Sequence, residues 1–324
     1  MRSSAARASG TRGDGVTTSA ASSTATAGAV RAGLTGGSRD TRGIVFLVLL
    51  LLSLLFSLAV LFVLVVDVMT TAAPVFAERG VGFLTSPLSS NPAKAGVVQG
   101  IIGTAILAMI VALVAFPFGL ATAIYLEEYA GDTRLTQFIQ VNIRNLAGVP
   151  SVVYGLLGLS VFVAFFAAVT DGSGRNILAG GLTLAVLVLP IVVITSIEAM
   201  RAVPNAIREA GYGVGASRWE VTRQLVLPSA FPGILTGTVL ALSRALGETA
   251  PLVIAGAVLG AFSSVAVDLA GSYTALPVIV YDWSRKPQEA FRADAAAAIV
   301  VLLAITLFAN AVATLLRSRF ERSW

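Results

Sequence analysis

The chain has 324 residues, of which 56% are hydrophobic and only 12% charged, with a formal net charge of +5 and a mean hydropathy of +0.87. A soluble globular domain carries roughly 25% charged residues, so half that share excludes an ordinary water-solvated fold and points to lipid as the solvent. The absence of Cys and His removes disulfides, thiolate and imidazole metal ligands, and the nucleophile and base chemistry that goes with them.

In lipid every backbone N–H and C=O must be paired within the protein, which leaves helices or a closed barrel. The apolar runs are long and lack two-residue alternation, so the expected class is all-α and polytopic. The basic residues flank apolar runs, so the positive charge reads as membrane topology rather than nucleic-acid binding. Membrane lipid is the expected surroundings.

Residues 1–42 are rich in Ser, Thr, Ala, Gly and Arg, with Asp14 and Asp40 as the acids. They show no apolar periodicity and read as a disordered, basic cytoplasmic tail. Residues 43–94 hold the first span and an external loop, 95–316 the main transmembrane domain, and 317–324 a short cytoplasmic C-terminus. Six spans are expected, each judged against the ~20 apolar residues that cross the hydrocarbon core. They are 44–66, 97–125 with Pro117 as a kink, 149–168, 177–197 with Pro190, 232–259 and 295–316. Span five alone carries charges in this reading, Arg244 and Glu248.

With the N-terminus inside, the tail and the segments 126–147, 198–231 and 317–324 hold 6, 2, 4 and 3 Lys or Arg. The opposite segments hold 2, 1 and 3. That bias places both termini and the 198–231 loop in the cytoplasm. Residues 135–147 form an amphipathic helix expected at the interface before span three. Glu127, Glu128 and Asp132 read as solvated at a cytoplasmic helix end. Gly155 and Gly158 read as sites of close helix packing.

The loop 198–231 is expected to fold as a helix–turn–helix. Pro204 opens a short helix at its first turn, where a missing N–H costs nothing. Gly211, Gly213 and Gly215 then break it. Ser217, with Glu220 three residues on, forms a capping box for a second helix, and Pro228 marks its end before span five. On physical grounds alone the loop is either an interfacial hairpin anchored by Trp219 and the arginines or a binding surface.

Arg244 lies about 12 residues into the expected span five, near the bilayer midplane at ~1.5 Å per residue. Its burial in lipid costs about 2.5–3.5 kcal/mol on insertion scales, and Glu248 at i+4 can offset it. The pair is either a structural tie between helices or a transient contact for a permeating anion, with Glu248 competing so that the anion is released. In both cases it is expected to face the bundle interior or a water-filled path. No GxxxxGK[ST] phosphate loop is present, so the chain is not expected to hydrolyse ATP or to act as an enzyme. No cofactor is expected.

Two stretches carry a family resemblance. The run Glu209-Ala210-Gly211, three residues, Gly215, nine residues, Leu225, one residue, Leu227-Pro228 resembles the EAA loop of ABC importer permeases, departing from the usual pattern at Gly211 and Leu225. The string Leu242 to Leu252, with Arg244, Gly247, Glu248, Thr249 and Pro251, resembles phosphate-importer permeases of the PstA type, binding-protein-dependent inner-membrane components. Gly148 to Gly155, and Ala275 through Trp283, Pro287 and Phe291 to Ala298, agree with it, so that the likeness runs from about 95 to 316. The resemblance implies a permease subunit for inorganic phosphate in the bacterial cell membrane. It implies a PstC-like second permease, a cytoplasmic ATPase dimer docked under a coupling hairpin between spans four and five, and an external phosphate-binding protein. It implies that Glu209, Ala210, Gly211, Gly215, Leu225, Leu227 and Pro228 serve ATPase coupling, and Arg244 and Glu248 the substrate pathway. Two other functions remain open: a permease for another oxyanion such as molybdate or sulfate, and an ATP-independent anion channel or carrier.

Overall fold

The computed structural model describes residues 41–170, 172–257, 269 and 271–320. The expected tail, apart from residues 41 and 42, and the stretch 258–268 therefore lie outside the described residues. Among the described residues every regular element is helical, and six helices are long and apolar enough to cross a membrane. These are Thr41–Arg79, Val98–Tyr129, Ser151–Val169, Ile177–Arg201, Arg218–Gly247 and Glu289–Arg319, so each expected span has a counterpart.

The chain divides at Leu64 into two units. In the first, residues 41–64 belong to helix α1 (Thr41–Arg79) and are exposed along their whole length. Apart from Thr41, Arg42, Ser53 and Ser57 this surface is apolar or glycine, and such a helix is stable only against lipid or another protein chain.

The second unit, from Val65 onward, contains the rest. Helix α2 (Val81–Thr85) and a 3-10 turn at Pro92–Lys94 lead to α3 (Val98–Ile124), which widens into a π turn at Tyr125–Tyr129. Next come α4 (Arg134–Ala147), capped by the Thr133 hydroxyl, and α5 (Ser151–Leu157), joined through π turns at Gly158–Val163 to α6 (Ala164–Val169). Helix α7 (Ile177–Arg201) is span four. The hairpin α8 (Asn205–Gly213) and α9 (Arg218–Val221) runs through a π turn at Thr222–Val226 into α10 (Leu227–Gly247). A short α11 (Ala250–Ile254), then α12 (Leu276–Ser284) and α13 (Glu289–Phe320) complete it.

Helix α7 is the axis of this unit. Leu184, Val188 and Val192 are fully buried, and α3 and α10 pack along it. Its Thr183 and Thr195 hydroxyls donate back to Ala179 O at 2.7 Å and Ile191 O at 2.9 Å, which satisfies them without a partner helix. The neighbouring helices approach these threonines closely. A Cβ at Gly158 or Gly237 would stand 2.1 Å from the Thr183 or Thr195 hydroxyl oxygen. Gly158 is thus a close-packing position, as the sequence suggested. Gly155 is another, since a Cβ there would come within 2.8 Å of Pro251 Cα.

A second cluster joins the last turns of α1 to α2, α12 and the start of α13. Phe83, Val97, Trp283, Phe291 and the run Ala295 to Ala298 are buried together with Ala72 and Val75. Phe83, Trp283 and Phe291 stack in series, with ring centroids 6.4 and 5.8 Å apart. Into this cluster Arg79 extends to pair with Asp294, and it also donates to Pro92 O at 2.8 Å and Ala95 O at 2.6 Å.

The structure corrects the sequence reading of span five in two ways. The helix does not begin near Pro232. It is continuous from Arg218, and Pro228 falls in the first turn of the α segment that restarts after the π turn, where its missing donor costs least. Nor does it reach 259. It ends at Gly247, and Glu248 is extended at φ −79°, ψ 121°. Pro251 explains the stop: it has no N–H to give to Gly247 O, and its ring would collide with that carbonyl. Span five is also not alone in carrying charge, because the sixth helix starts at Glu289 and takes in buried Asp294.

Candidate functional site

Helix α10 buries Ala230, Ile234, Gly237, Ala241 and Ala245 against the rest of the chain. On an adjoining stripe Gly233, Leu240, Arg244 and Gly247 are exposed, at helical spacing. Arg244 is therefore in the last turn of the helix, 26 residues or roughly 39 Å along it from Arg218, rather than midway as expected. Of the two surroundings expected for the pair, the bundle interior and a water-filled path, this chain taken alone does not enclose Arg244. The Arg244 side chain is 47% exposed, and that of Glu248 is 19% exposed.

The two do pair, with Nε to Oε1 at 3.5 Å. The reason differs from a shared helix face, since Glu248 lies beyond the helix end in extended conformation. The contact is too long for a strong charged hydrogen bond. Guanidinium offers five donors in a fixed fork, and among the described residues this loose contact with Glu248 is the hydrogen-bond or ion-pair contact Arg244 makes. Among the described residues most of its donors are thus left without a partner.

The break after Gly247 is held from the other side by span three. Helix α5 packs against α11, and the Tyr154 hydroxyl, within electrostatic reach of Arg244, donates to Leu146 O at 2.8 Å. Ser243, next to Arg244, donates to the Asn310 side-chain oxygen on α13. The Gly148–Gly155 stretch and the Arg244–Leu252 stretch, far apart in sequence, thus build one locus.

The hairpin forms as a second locus. Pro204 is the N-cap of α8 and Asn205 its first residue. The capping box of Ser217 and Glu220 is present, with Ser217 N donating to Glu220 Oε2 at 2.7 Å. Gly215 turns the chain at φ +83°, a conformation costly for other residues. Gly211 does not break the helix, which runs through it and ends at Gly213. Gly211 is buried, and a Cβ there would come within 2.8 Å of both Val221 and Leu225. It is the position where the two arms of the hairpin touch. Gly211→Val is expected to overpack that contact and splay the arms, at about 1–3 kcal/mol, read as faster hydrogen exchange and protease cleavage of 205–226. Leu225 and Leu227 are half-buried, while Glu209, Ala210 and Pro228 are exposed. Glu209 is exposed and makes no hydrogen bond or ion pair among the described residues.

One part of this locus was missed in the sequence. Glu127 and Glu128 are not simply solvated. Glu128 has a side chain 5% exposed and accepts from Arg208 Nη2 at 2.8 Å, and Glu127 takes a two-pronged contact from Arg201 Nε at 2.8 and 3.0 Å. With Asn205, Tyr212 and Arg218 they line a cleft of about 430 Å³. The available signal was the placing of two acids in one cytoplasmic segment and Arg201, Arg208 and Arg218 in the next. Among the described residues no cluster of His, Cys, Asp or Glu could hold a metal ion.

The sequence matches, over residues 115–322, the profile of the family described as "Binding-protein-dependent transport system inner membrane component". It is 41% identical over 171 residues to the "Probable ABC transporter permease protein YqgH" of Bacillus subtilis, covering 51% of this chain and 55% of that protein, so the match spans about half of that relative's length. It is 34% identical over 223 residues to the "Phosphate transport system permease protein PstA 1" of Mycobacterium tuberculosis H37Rv, covering 68% of this chain and 70% of the relative. It is 30% identical over 265 residues to the corresponding PstC protein of Mesorhizobium japonicum, covering 75% and 80%. Among solved structures, a chain of a bacterial alginate ABC transporter, in complex with a pentasaccharide-bound periplasmic protein, superposes with a TM-score of 0.61 at 15% identity, over 87% of this chain and 97% of the other. The MetNI methionine ABC transporter gives 0.57 at 18% identity, over 70% and 96%. At these identities the structural likeness speaks for the fold.

Proposed function

The chain belongs to the family of binding-protein-dependent transport system inner membrane components, and from that membership we propose that it is one of two permease chains of an ATP-driven importer of inorganic phosphate. The observation that carries the reading is Arg244. An arginine half-exposed on an apolar helix, with most donors unused among the described residues, is an anion contact waiting to be enclosed. Because the Arg244 side chain is 47% exposed on this chain alone, the enclosure would come from a second permease chain. The relatives named for phosphate transport support phosphate as the anion.

In this reading the termini and the α8–α9 hairpin are cytoplasmic. A separate ATPase seats against the hairpin, with Glu209 as its charged contact, and an external binding protein delivers the anion. Glu248 competes for Arg244 and keeps the anion site weak enough to release its load.

The test is uptake of labelled phosphate at micromolar concentration in cells lacking the chain and complemented with it, against labelled sulfate and molybdate. Phosphate uptake that stops on ATP depletion is expected. Uptake of sulfate or molybdate instead would replace the substrate, and uptake that persists without ATP would replace the importer by a channel or carrier. Glu209→Ala is expected to lower uptake and to weaken co-purification of the ATPase together, while Arg244 remains intact.

A further inference from the structure

Helix α8 is fastened to the rest of the chain in two chemically different ways. The first is apolar. Val203, Val221, Val226, Ala230 and Ile234 are buried with Ala123 and Leu126 of the span-two helix, and Ile207 and Leu225 pack against them. The second is polar and converges on one side chain. Arg208 gives Nη2 to Glu128 Oε1 at 2.8 Å and to Met200 O at 2.9 Å, and Nη1 to Val203 O at 2.8 Å and Asn205 Oδ1 at 3.4 Å. One guanidinium thus joins the hairpin, the carbonyls at the end of span four, and the carboxylate at the end of span two.

The span-two end of this junction has its own geometry. The helix widens into the π turn Tyr125–Tyr129, closed by Ala130 N donating to Tyr125 O at 2.7 Å. A π turn inserts one residue and re-aims the chain beyond it, and such bulges are frequent at functional positions. Glu128 is buried there, and a buried carboxylate requires a cation and hydrogen bonds to stay charged. The neighbouring Arg201–Glu127 pair has an Arg side chain 46% exposed, so solvent screens it and it holds far less.

We propose that Arg208 and Glu128 are the positioning pair through which displacement of the hairpin is imposed on span two. The pair is directional and sits in a buried place, so it resists sliding. The apolar contacts around it are non-directional and let helices shift past one another. Cutting the pair therefore leaves the hairpin attached and able to seat its ATPase, while span two no longer follows it. This rests on the phosphate-importer reading given above.

The experiment uses the assembled complex, with its second permease, ATPase and binding protein, in proteoliposomes. Phosphate taken up and ATP hydrolysed are measured in the same vesicles. For Arg208→Ala and for Glu128→Gln, ATP hydrolysis is expected to stay near wild type while phosphate moved per ATP falls about tenfold, equivalent to about 1.4 kcal/mol. Arg208→Lys keeps the charge but carries its three donors on one atom and cannot span the four acceptors of the guanidinium fork, so its ratio should fall between the two. A ratio that stays at the wild-type value, or uptake and hydrolysis that fall in the same proportion in an assembled complex, overturns the proposal. If Arg208→Ala does not assemble, Glu128→Gln decides by the same ratio, since it lies outside the hairpin. If neither assembles, the pair serves folding and the proposal is overturned. Should the wild-type complex hydrolyse ATP but move no phosphate, the substrate reading fails, and the ratio is read with sulfate or molybdate. Should it move none of the three, the transport reading fails and the proposal with it.

Discussion

Arg244→Ala is expected to reduce phosphate import by about 10- to 100-fold while the chain still assembles with its ATPase. The magnitude reflects the donors lost. A hydrogen bond to a charged group contributes about 1.5–3 kcal/mol, and each 1.4 kcal/mol is a factor of ten. Arg244→Lys should recover only part of the activity, because a point charge does not reproduce the bidentate fork that matches a phosphate edge. Assembly should be untouched, since among the described residues the ion pair Arg244 makes is the loose contact to Glu248 at 3.5 Å. The check is uptake at fixed amounts of membrane-inserted complex. Wild-type uptake by Arg244→Ala would remove the residue from the pathway.

Arg79→Ala is expected to have the largest effect on stability. It would leave Asp294, 2% exposed on its side chain, as an unpaired carboxylate inside the Phe83, Trp283 and Phe291 cluster. Removing one partner of a buried ion pair costs about 3–5 kcal/mol, a large part of the 5–15 kcal/mol that typically holds a folded protein. The Pro92 and Ala95 carbonyls would also lose their donor. The expected result is a sharply lower thermal midpoint in detergent. The double variant Arg79→Met with Asp294→Leu should regain much of the loss, because no charge is left stranded. Failure of the double variant to improve on Arg79→Ala would show that the loop carbonyls, not the carboxylate, set the cost.

Most of the architecture was legible because lipid imposes a simple rule. Apolar length alone located all six helices, and Ser217 with Glu220 marked the hairpin's second arm. What stayed hidden depended on where ends fall and on contacts between distant segments. Apolar character continues past Gly247, so composition could not show that Pro251 stops the helix and leaves Glu248 extended. Gly211 looked like a breaker because helix propensity is a property of the local chain, while its real constraint is Val221 and Leu225 pressing from the other arm. The pairs Glu128–Arg208 and Arg79–Asp294 join residues 80 and 215 positions apart, beyond the reach of any local pattern.

The unbroken helical run from Arg218 to Gly247 has a mechanical consequence. One end of it is an arm of the hairpin, and the other carries Arg244. The two loci are therefore ends of a single lever about 39 Å long, at ~1.5 Å per residue. A tilt of only about 5° around one end sweeps the other through roughly 3 Å at that length, as much as a whole hydrogen bond. The guanidinium need not be told that the hairpin has moved, because it rides on the same rod. In the importer proposed above, small rotations of the hairpin would thereby be geared up into the making and breaking of the Arg244 contact with the anion.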